Sequence, residues 1–359
     1  MFGNAKGITL EQLDLQKRLI IALALSFLVF VGSSFFMGGA QSQKTLQDSN
    51  QSAQNQKVEN QAPAIAASNE AIKTPASADR TAMSAPAQEN SRVLATVSSR
   101  VSSIKIDEFG RIAQVTLLEE KYRDDEGKPL KLFKADAVKP LELRFSDPTL
   151  NAEAFKVPYR ASVHELRIKD APETITLTQE LTGLTVTKEI RFYTDGHYGL
   201  SVRTSKPVDY FITTGSRPIA DTSKYMIAKG ALIKDKDGLL TTIEDGDTKG
   251  DQSFNNVIFA SAFDRYYASV LYDLKKGLNV TVSPGKNNDP LIFLKGSSDM
   301  QIEGYIGAKE YRTLKALSPQ LTDVIEYGWF SFLSKPFFAV IVWIHGFVGN
   351  WGWAIILFT

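Results

Sequence analysis

Residues 184–205 read LTVTKEIRFYTDGHYGLSVRTS, and their pattern sets the fold class. Leu184, Val186 and Ile190 alternate with polar side chains, which is the period-two pattern of a strand with one buried face. The residues TDGH at 194–197 have the composition of a turn, and the apolar–polar alternation resumes after them. The stretch therefore predicts two antiparallel strands joined by a short turn.

The same style of pattern extends over residues 93–307. The further predicted strands are 103–106, 112–118, 173–181, 208–214, 231–234, 239–243, 277–282, 291–295 and 300–307, and the second strand of the first stretch covers 198–205. Asp-Gly and Asn-rich turns separate them at close spacing, which is typical of an antiparallel sandwich. We find no repeat of fixed length, so a propeller or a solenoid is not expected.

Charge and composition exclude several classes of function. The 359 residues include 41 Lys and Arg against 40 Asp and Glu, a net charge of +1. Nucleic-acid binding needs a clustered basic excess, so we expect no nucleic-acid partner. The chain has no cysteine, which excludes disulfides, thiol nucleophiles and Cys-ligated zinc.

An uncharged segment near the start predicts a membrane anchor. Residues 19–37 (LIIALALSFLVFVGSSFFM) would rise about 28 Å as a helix, close to the hydrocarbon thickness of a bilayer. The alternative is a cleaved signal peptide, whose apolar region is usually shorter, about 7–15 residues. Lys17 and Arg18 precede the segment and no basic residue occurs after it before Lys44. The positive-inside rule then places residues 1–18 in the cytoplasm and exports the chain beyond the anchor.

A polar segment comes after the anchor. Residues 41–92 contain no aromatic residue and few large aliphatic ones, so they cannot bury enough apolar surface to offset chain entropy. We predict that residues 38–92 form a flexible periplasmic linker. The β domain with its C-terminal helices would then occupy residues 93–326 in the periplasm.

The C-terminal residues predict helices of two kinds. Residues 308–317 (AKEYRTLKAL) predict a short helix that ends at Ser318-Pro319. Residues 337–359 have the length of one apolar span, but His345 and Asn350 would then lie in hydrocarbon, where polar groups are costly. We therefore prefer an interfacial amphipathic helix within 327–349, helical from about 330 to 347, and the start of a second transmembrane helix at 350–359. A single tilted and kinked span stays the alternative.

The candidate membrane-contacting residues belong to this C-terminal segment. Tryptophan is favoured at the membrane interface, and lysine can extend its amine from there into water. The candidates are Trp329, Lys335, Pro336, Trp343, His345, Asn350, Trp351 and Trp353, with Lys17 and Arg18 as the residues that set orientation. We predict no catalytic, cofactor-binding or metal-binding residue.

These motifs are similar to those of a known family. Residues 259–268 (FASAFDRYYA), 305–311 (YIGAKEY), 327–329 (YGW) and 344–352 (IHGFVGNWG) resemble segments of the bacterial YidC-type membrane protein insertases, of the YidC/Oxa/Alb family. The segments resemble the periplasmic domain and the entry to the second transmembrane helix in the Gram-negative type. The resemblance is specific from about residue 254 onward, and the N-terminal half matches in architecture.

The resemblance implies a fold and a function. Such proteins insert and fold integral membrane proteins in the bacterial inner membrane, alone or with the Sec translocon, so nascent membrane proteins, the translocon and the bilayer are the implied partners. Their periplasmic domain is a β-supersandwich similar to sugar mutarotases. The hydrophilic groove that carries out insertion, with its arginine on the second transmembrane helix, would lie downstream of Thr359. We therefore expect residues 1–359 to be the N-terminal portion of a longer multi-pass protein.

Two other classes of function remain open. An anchored hydrolase or mutarotase-like enzyme would need acid–base groups such as a histidine with a carboxylate. Of the three histidines, His164 lies on a predicted strand and His197 in a predicted turn, and no hydrolase, nucleotide-binding or zinc-protease motif is present. The turns at 235–238 and 245–247 lack a full calcium-loop pattern. The third class is a carbohydrate-binding or other pure binding module with a cleft for a glycan, a polymer or an unfolded chain.

Overall fold

The computed structural model describes residues 91–219, 229–325 and 331–359, with side chains described from 337 in the last range. All of them lie in the second of two compact units, 68–359. The strands are β1 (Val93–Ser98), β2 (Ser102–Asp107), β3 (Ile112–Leu117), β4 (Leu143–Phe145), β5 (Arg160–Ala161), β6 (Glu165–Arg167), β7 (Glu173–Leu181), β8 (Leu184–Phe192), β9 (His197–Thr204), β10 (Tyr210–Thr213), β11 (Gly230–Asp235), β12 (Leu240–Glu244), β13 (Gln252–Phe263), β14 (Tyr267–Tyr272), β15 (Leu278–Pro284), β16 (Pro290–Gly296) and β17 (Met300–Ala308). The helices are α1 (Pro148–Ala154), α2 (Tyr311–Leu317), α3 (Ser331–Val348) and α4 (Trp351–Phe358), with short 3-10 helices at Lys286–Asn288 and Pro319–Val324.

The strands form two sheets, and the mainly β antiparallel sandwich that the sequence predicts is confirmed. The small sheet has the order β3-β2-β1-β6, in which β1 and β6 run parallel. The large sheet has the order β4-β10-β16-β15-β13-β14-β17-β9-β8-β7-β5 with antiparallel pairing, and β11 joins it beside β13 and carries β12. The long strand β13 connects the two halves of the large sheet, since its residues 252–257 pair with β15 and 259–263 pair with β14.

Burial matches the period-two pattern where one sheet face meets the core. In β8 the buried positions are Leu184, Val186, Lys188, Ile190 and Phe192. The four apolar ones belong to one core that also takes apolar side chains from the small sheet and from β4, β9, β10 and β15–β17. The two sheets therefore share a single hydrophobic interior, which holds the sandwich together.

A second apolar layer covers the other face of β11, β13 and β14. Leu314 of α2 and Leu321 and Val324 of the adjoining 3-10 helix are fully buried against Phe259 and Phe263. The predicted helix at 308–317 begins three residues later than expected because residue 308 is still the last residue of β17. It ends at Ser318 as predicted.

Buried ion pairs connect the two sheets. Arg111 Nε lies 2.8 Å from Asp107 Oδ2, and Arg111 Nη1 lies 2.7 Å from Glu142 Oε2. Glu142 also pairs with Arg144 at 2.6 Å, and all four side chains are at most 1% exposed. Asp107 ends β2 while Glu142 and Arg144 lie beside or in β4, so the network fixes the small sheet against the large one.

Lys188 is buried next to this network. Its Nζ donates hydrogen bonds to the carbonyl oxygens of Gly110 at 3.0 Å and Leu141 at 2.8 Å. Burial lowers the pKa of Lys188 to about 7, although the nearby Asp107 carboxylate acts to raise it. Lys188 thus lies at a core-facing position of β8, where its amine donates to two backbone carbonyls.

Some sequence predictions differ from the structure or fall outside it. His164 lies in a bend just before β6 rather than on a strand, and His197 is the first residue of β9 rather than part of the turn. In the described ranges, no helix combines the length and the apolar character needed to cross a bilayer. The predicted anchor at 19–37, the linker as far as residue 90 and the orienting residues Lys17 and Arg18 lie outside the described residues.

Candidate functional site

The two C-terminal helices form a tight helical hairpin. The rings of Phe337, near the start of α3, and Phe358, at the end of α4, lie 5.5 Å apart, so α4 runs back along α3. Gly349 has a φ of +68°, a conformation that costs glycine little, and its N–H donates to the His345 carbonyl at 2.8 Å. Asn350 then caps α4, because its Oδ1 accepts a hydrogen bond from the Gly352 N–H at 2.8 Å. The chain reversal is thus encoded by the Gly-Asn pair.

The hairpin exposes an unusual amount of apolar surface. Its large apolar side chains that are more than a third exposed are Phe337, Val340, Trp343, Phe347, Val348, Trp351, Trp353, Ile355, Ile356 and Leu357. Trp343 is 65% exposed and Phe347 is 75% exposed. Many exposed large apolar side chains on one short segment mark contact with a membrane or another protein. We call these ten side chains the hairpin surface.

The sequence-predicted candidates divide between the hairpin surface, its turn and the first half of α3. Trp343, Trp351 and Trp353 are part of the hairpin surface, and the His345 ring stacks on Trp351 with 3.8 Å between centroids. Asn350 is the helix cap between the two helices. Lys335 and Pro336 lie in the first half of α3, and Trp329 lies outside the described residues. The helix break falls at the Gly349-Asn350 turn, and the interfacial depth of α3 and the spanning role of α4 stay predictions.

The hairpin contacts the β domain through α2. The rings of Tyr311 in α2 and Phe338 in α3 meet edge to face at 5.6 Å. Just before α2, Glu310 accepts hydrogen bonds from Lys121 Nζ at 2.6 Å and from the Tyr122 hydroxyl at 2.7 Å. Partial burial acts to raise the pKa of Glu310, but these hydrogen bonds hold it below its usual value. The loop after β3 is thus connected through Glu310 to the helices.

The histidines of the β domain have different surroundings. His164 Nδ1 is 2.8 Å from the Leu94 carbonyl oxygen at an exposed site. His197 Nε2 lies 2.8 Å from Glu303 Oε2, and its ring stacks on that of Tyr193 at 4.3 Å and lies 6.2 Å from that of Tyr272. Sequence reasoning missed this histidine–carboxylate pair, because 106 residues separate its two members. In the ranges that the structure covers, no three carboxylates and histidines are grouped so as to hold a metal ion.

The comparisons with known proteins agree on one family. Residues 95–340 match the family model described as the YidC periplasmic domain. The chain is 39% identical over 346 residues to the membrane protein insertase YidC of Campylobacter jejuni, and the match covers 96% of this chain and 63% of that protein. It is 37% identical to the protein of the same name from Wolinella succinogenes, with 97% of this chain and 64% of that protein covered.

Solved structures give a weaker likeness. The crystal structure of YidC from Thermotoga maritima is 13% identical in sequence, and the match covers 74% of this chain and 68% of that chain. Its TM-score is 0.32, which is too low to support an argument. The chain spans somewhat less than two thirds of the length of the two curated relatives.

Proposed function

Because the chain belongs to the YidC family, we propose that it is part of a membrane protein insertase that inserts and folds integral membrane proteins in the bacterial inner membrane. The relatives are named membrane protein insertases, which supports the activity, and the hairpin surface is the observation in this molecule that carries it. Nascent membrane proteins and the lipid bilayer are the proposed partners. We extend the proposal to the Sec translocon as a partner in insertion.

The proposed topology rests on the charges that flank the first apolar segment. Residues 1–18 would lie in the cytoplasm, 19–37 would cross the membrane, and the β domain would stand in the periplasm beyond the linker at 38–92. The hairpin would then meet the membrane from the periplasmic side. Indole rings such as those of Trp343 and Trp353 favour the headgroup region, so α3 would lie within the interface and α4 would begin the second span.

The hairpin would hold the β domain at the membrane and would not itself carry out insertion. An interfacial helix packed through Tyr311 and Phe338 against the β domain fixes that domain at the membrane surface beside the site of insertion. By the family resemblance, the hydrophilic groove that receives a substrate lies in the part of the relatives beyond this match. Such a groove lowers the barrier for a polar flank by offering hydration inside the membrane, where an unsatisfied polar group costs several kcal/mol.

We also propose that the chain is not an enzyme. The curated relatives are named membrane protein insertases, and this name supports the proposal. His197 and Glu303 form a histidine–carboxylate pair of the kind an epimerase would use, so turnover of a sugar that is lost on changing His197 would contradict this proposal. His164 lies at an exposed site against a backbone carbonyl.

Complementation tests the proposal. Cells depleted of their own insertase would receive residues 1–359 joined to the downstream region of the Campylobacter jejuni relative. We expect growth to be restored, and Trp343→Glu to impair it because a charge at the hairpin surface opposes membrane contact. The matched control is Leu239→Glu, since Leu239 is an apolar residue of the β domain that is also 65% exposed. Equal growth of the two variants would contradict a membrane role for the hairpin, and no growth with the unmodified joined chain would contradict the function.

A further inference from the structure

The outer side of α2 carries two basic side chains next to the hairpin. Arg312 and Lys315 are both exposed, whereas Leu314 on the opposite side of the helix is fully buried. The Lys315 Nζ lies 5.4 Å from the ring centroid of Tyr311, whose ring meets Phe338 of α3. At 3.6 residues per turn, Tyr311, Lys315 and Arg312 fall within about 100° of the helix circumference. The two cations therefore lie on the side of α2 that meets α3, and we call them the basic face.

The acidic side chains of this segment are paired with cations from elsewhere in the domain. Residues 308–325 contain two carboxylates, Glu310 and Asp323. Glu310 pairs with Lys121 at 2.6 Å, and Asp323 pairs with Lys234 at 2.5 Å. Within the part of the chain that the structure describes, no carboxylate forms an ion pair with the basic face. Its two positive charges are therefore not compensated by the protein.

The turn between β13 and β14 lies beside the start of α2. The carbonyl oxygen of Tyr266 accepts a hydrogen bond from the Lys309 N–H at 2.7 Å. Tyr266 is 51% exposed, and the Arg265 guanidinium lies 5.0 Å from its ring centroid. Tyrosine combines an apolar ring with a polar tip and is therefore favoured at the boundary between lipid and water. This end of the β domain thus adds an exposed aromatic ring to the cations of α2.

A lipid surface fits this arrangement better than a protein partner. A stable protein interface needs a complementary surface of about 800 Å² on each side, whereas lipid headgroups rearrange around two separate charges. The hairpin surface provides apolar side chains for the acyl region, and basic side chains beside it can reach the phosphates above. The basic face includes no carboxylate that could pair with the cation of a zwitterionic headgroup. The charges therefore favour a headgroup with a net negative charge.

We propose that the basic face binds the headgroups of anionic phospholipids and so holds this end of the β domain against the membrane beside α3. The inference rests on the proposed membrane contact of the hairpin and adds the class of lipid that the contact selects. The hairpin binds by burial of apolar surface, which depends little on the headgroup. The basic face binds by charge, which makes its contact sensitive to lipid composition and to salt.

Fluorescence titration of the full chain in neutral detergent micelles tests the proposal. The chain has no cysteine, so Ala316→Cys gives a single attachment site for the environment-sensitive fluorophore NBD on the exposed side of α2. Phosphatidylglycerol is the probe, and phosphatidylcholine is the zwitterionic comparison. We expect the NBD emission to rise with phosphatidylglycerol and to change little with phosphatidylcholine, because the label reaches the headgroups when the basic face binds them.

Neutralising substitutions measure the contribution of each charge. One basic residue near an anionic surface contributes about fivefold to binding, so Arg312→Gln or Lys315→Gln should weaken the apparent affinity for phosphatidylglycerol about fivefold, and the double variant about 25-fold. Glutamine is a good helix former, and circular dichroism would show that the fold is retained. The matched control is Arg160→Gln with Lys169→Gln, which removes the same two charges from exposed sites in β5 and after β6. It should bind like the unmodified chain, because β5 is the fifth strand from β14 in the large sheet.

A second label separates this inference from the proposed function. NBD attached through Phe347→Cys, on the hairpin surface, should be bright with either lipid because that contact is apolar. A bright label at 347 with equal responses to the two lipids at 316 would overturn the role of the basic face and leave the membrane contact of the hairpin standing. A dark label at 347 would contradict that membrane contact and this inference with it. An affinity for phosphatidylglycerol that the double variant or about 0.5 M salt leaves unchanged would also overturn the assignment.

Discussion

Replacing Lys188 with methionine should remove a defined pH dependence from the stability of the β domain. Methionine keeps most of the length of the side chain and removes the titrating amine. In the folded protein, burial lowers the pKa of Lys188 to about 7 from its ordinary value of 10.5. The unfolded chain therefore binds one more proton than the folded chain between about pH 7 and pH 10.5.

The size of the effect is set by the two pKa values. When the unfolded state binds one extra proton, the free energy of unfolding rises with pH by about 1.4 kcal/mol per unit. Over the whole window, from the folded pKa of about 7 to 10.5, the rise amounts to about 4–5 kcal/mol. Stability at one pH is a poorer measure, because methionine also leaves the carbonyls of Gly110 and Leu141 without their donor.

Urea unfolding monitored by circular dichroism measures this slope. Titrations of the full chain in mild detergent would be made between pH 7 and about pH 9.5, below the range where unfolded tyrosines ionise. Burial raises the pKa of Tyr159 and Tyr198, so these groups lower stability above that range. We expect the rise of the unfolding free energy with pH to be smaller by about 1.4 kcal/mol per pH unit, the contribution of one proton, in Lys188→Met. The same rise should stay unchanged in Lys105→Met. Equal slopes in the unmodified chain and Lys188→Met would refute a neutralised buried lysine.

Three further predictions concern the ion network, the hairpin and the topology. Glu142→Ala leaves two buried arginines without their shared partner, so urea unfolding at neutral pH should show a loss of about 3–5 kcal/mol. Spin labels along residues 337–359 should report a shallow depth through α3, whereas a steady change in depth over the whole segment would indicate one continuous span. Reporter fusions after Gln47 and after Gly250 should be active only as exported proteins, and a cytoplasmic signal at both sites would contradict the proposed orientation.

Apolar–polar alternation predicted strands that have one solvent-exposed face, and it gave no signal for β13 and β14. The sequence predicts the observed bounds of β7, because polar and apolar residues alternate on it. In β13 and β14, residues 257–263 and 267–272 are buried on both faces under α2, so their sequence shows no alternation. The period-two signal comes from solvent on one side of a sheet, and it is lost when a second layer covers that side.

Burial of a side chain can be predicted from the sequence more readily than its contact partner. The position of Lys188 between Val186 and Ile190 already placed it on the buried face, so parity along the strand was a usable signal for its burial. The pairing of His197 with Glu303 depends on β9 and β17 becoming neighbours, and local sequence carries no trace of that choice. The break between α3 and α4 was readable, because the Gly349-Asn350 pair encodes a reversal by itself.

The most direct test of the insertase proposal is insertion by purified components. Proteoliposomes would contain residues 1–359 joined to the downstream region of the Campylobacter jejuni relative, and a radiolabelled single-span substrate would be added and then treated with protease. The proposal predicts a protected transmembrane fragment with the joined chain and only the background of empty liposomes with residues 1–359 alone. Background protection with the joined chain would contradict the function, and full protection with residues 1–359 alone would mean that insertion is carried out by the β domain or the hairpin.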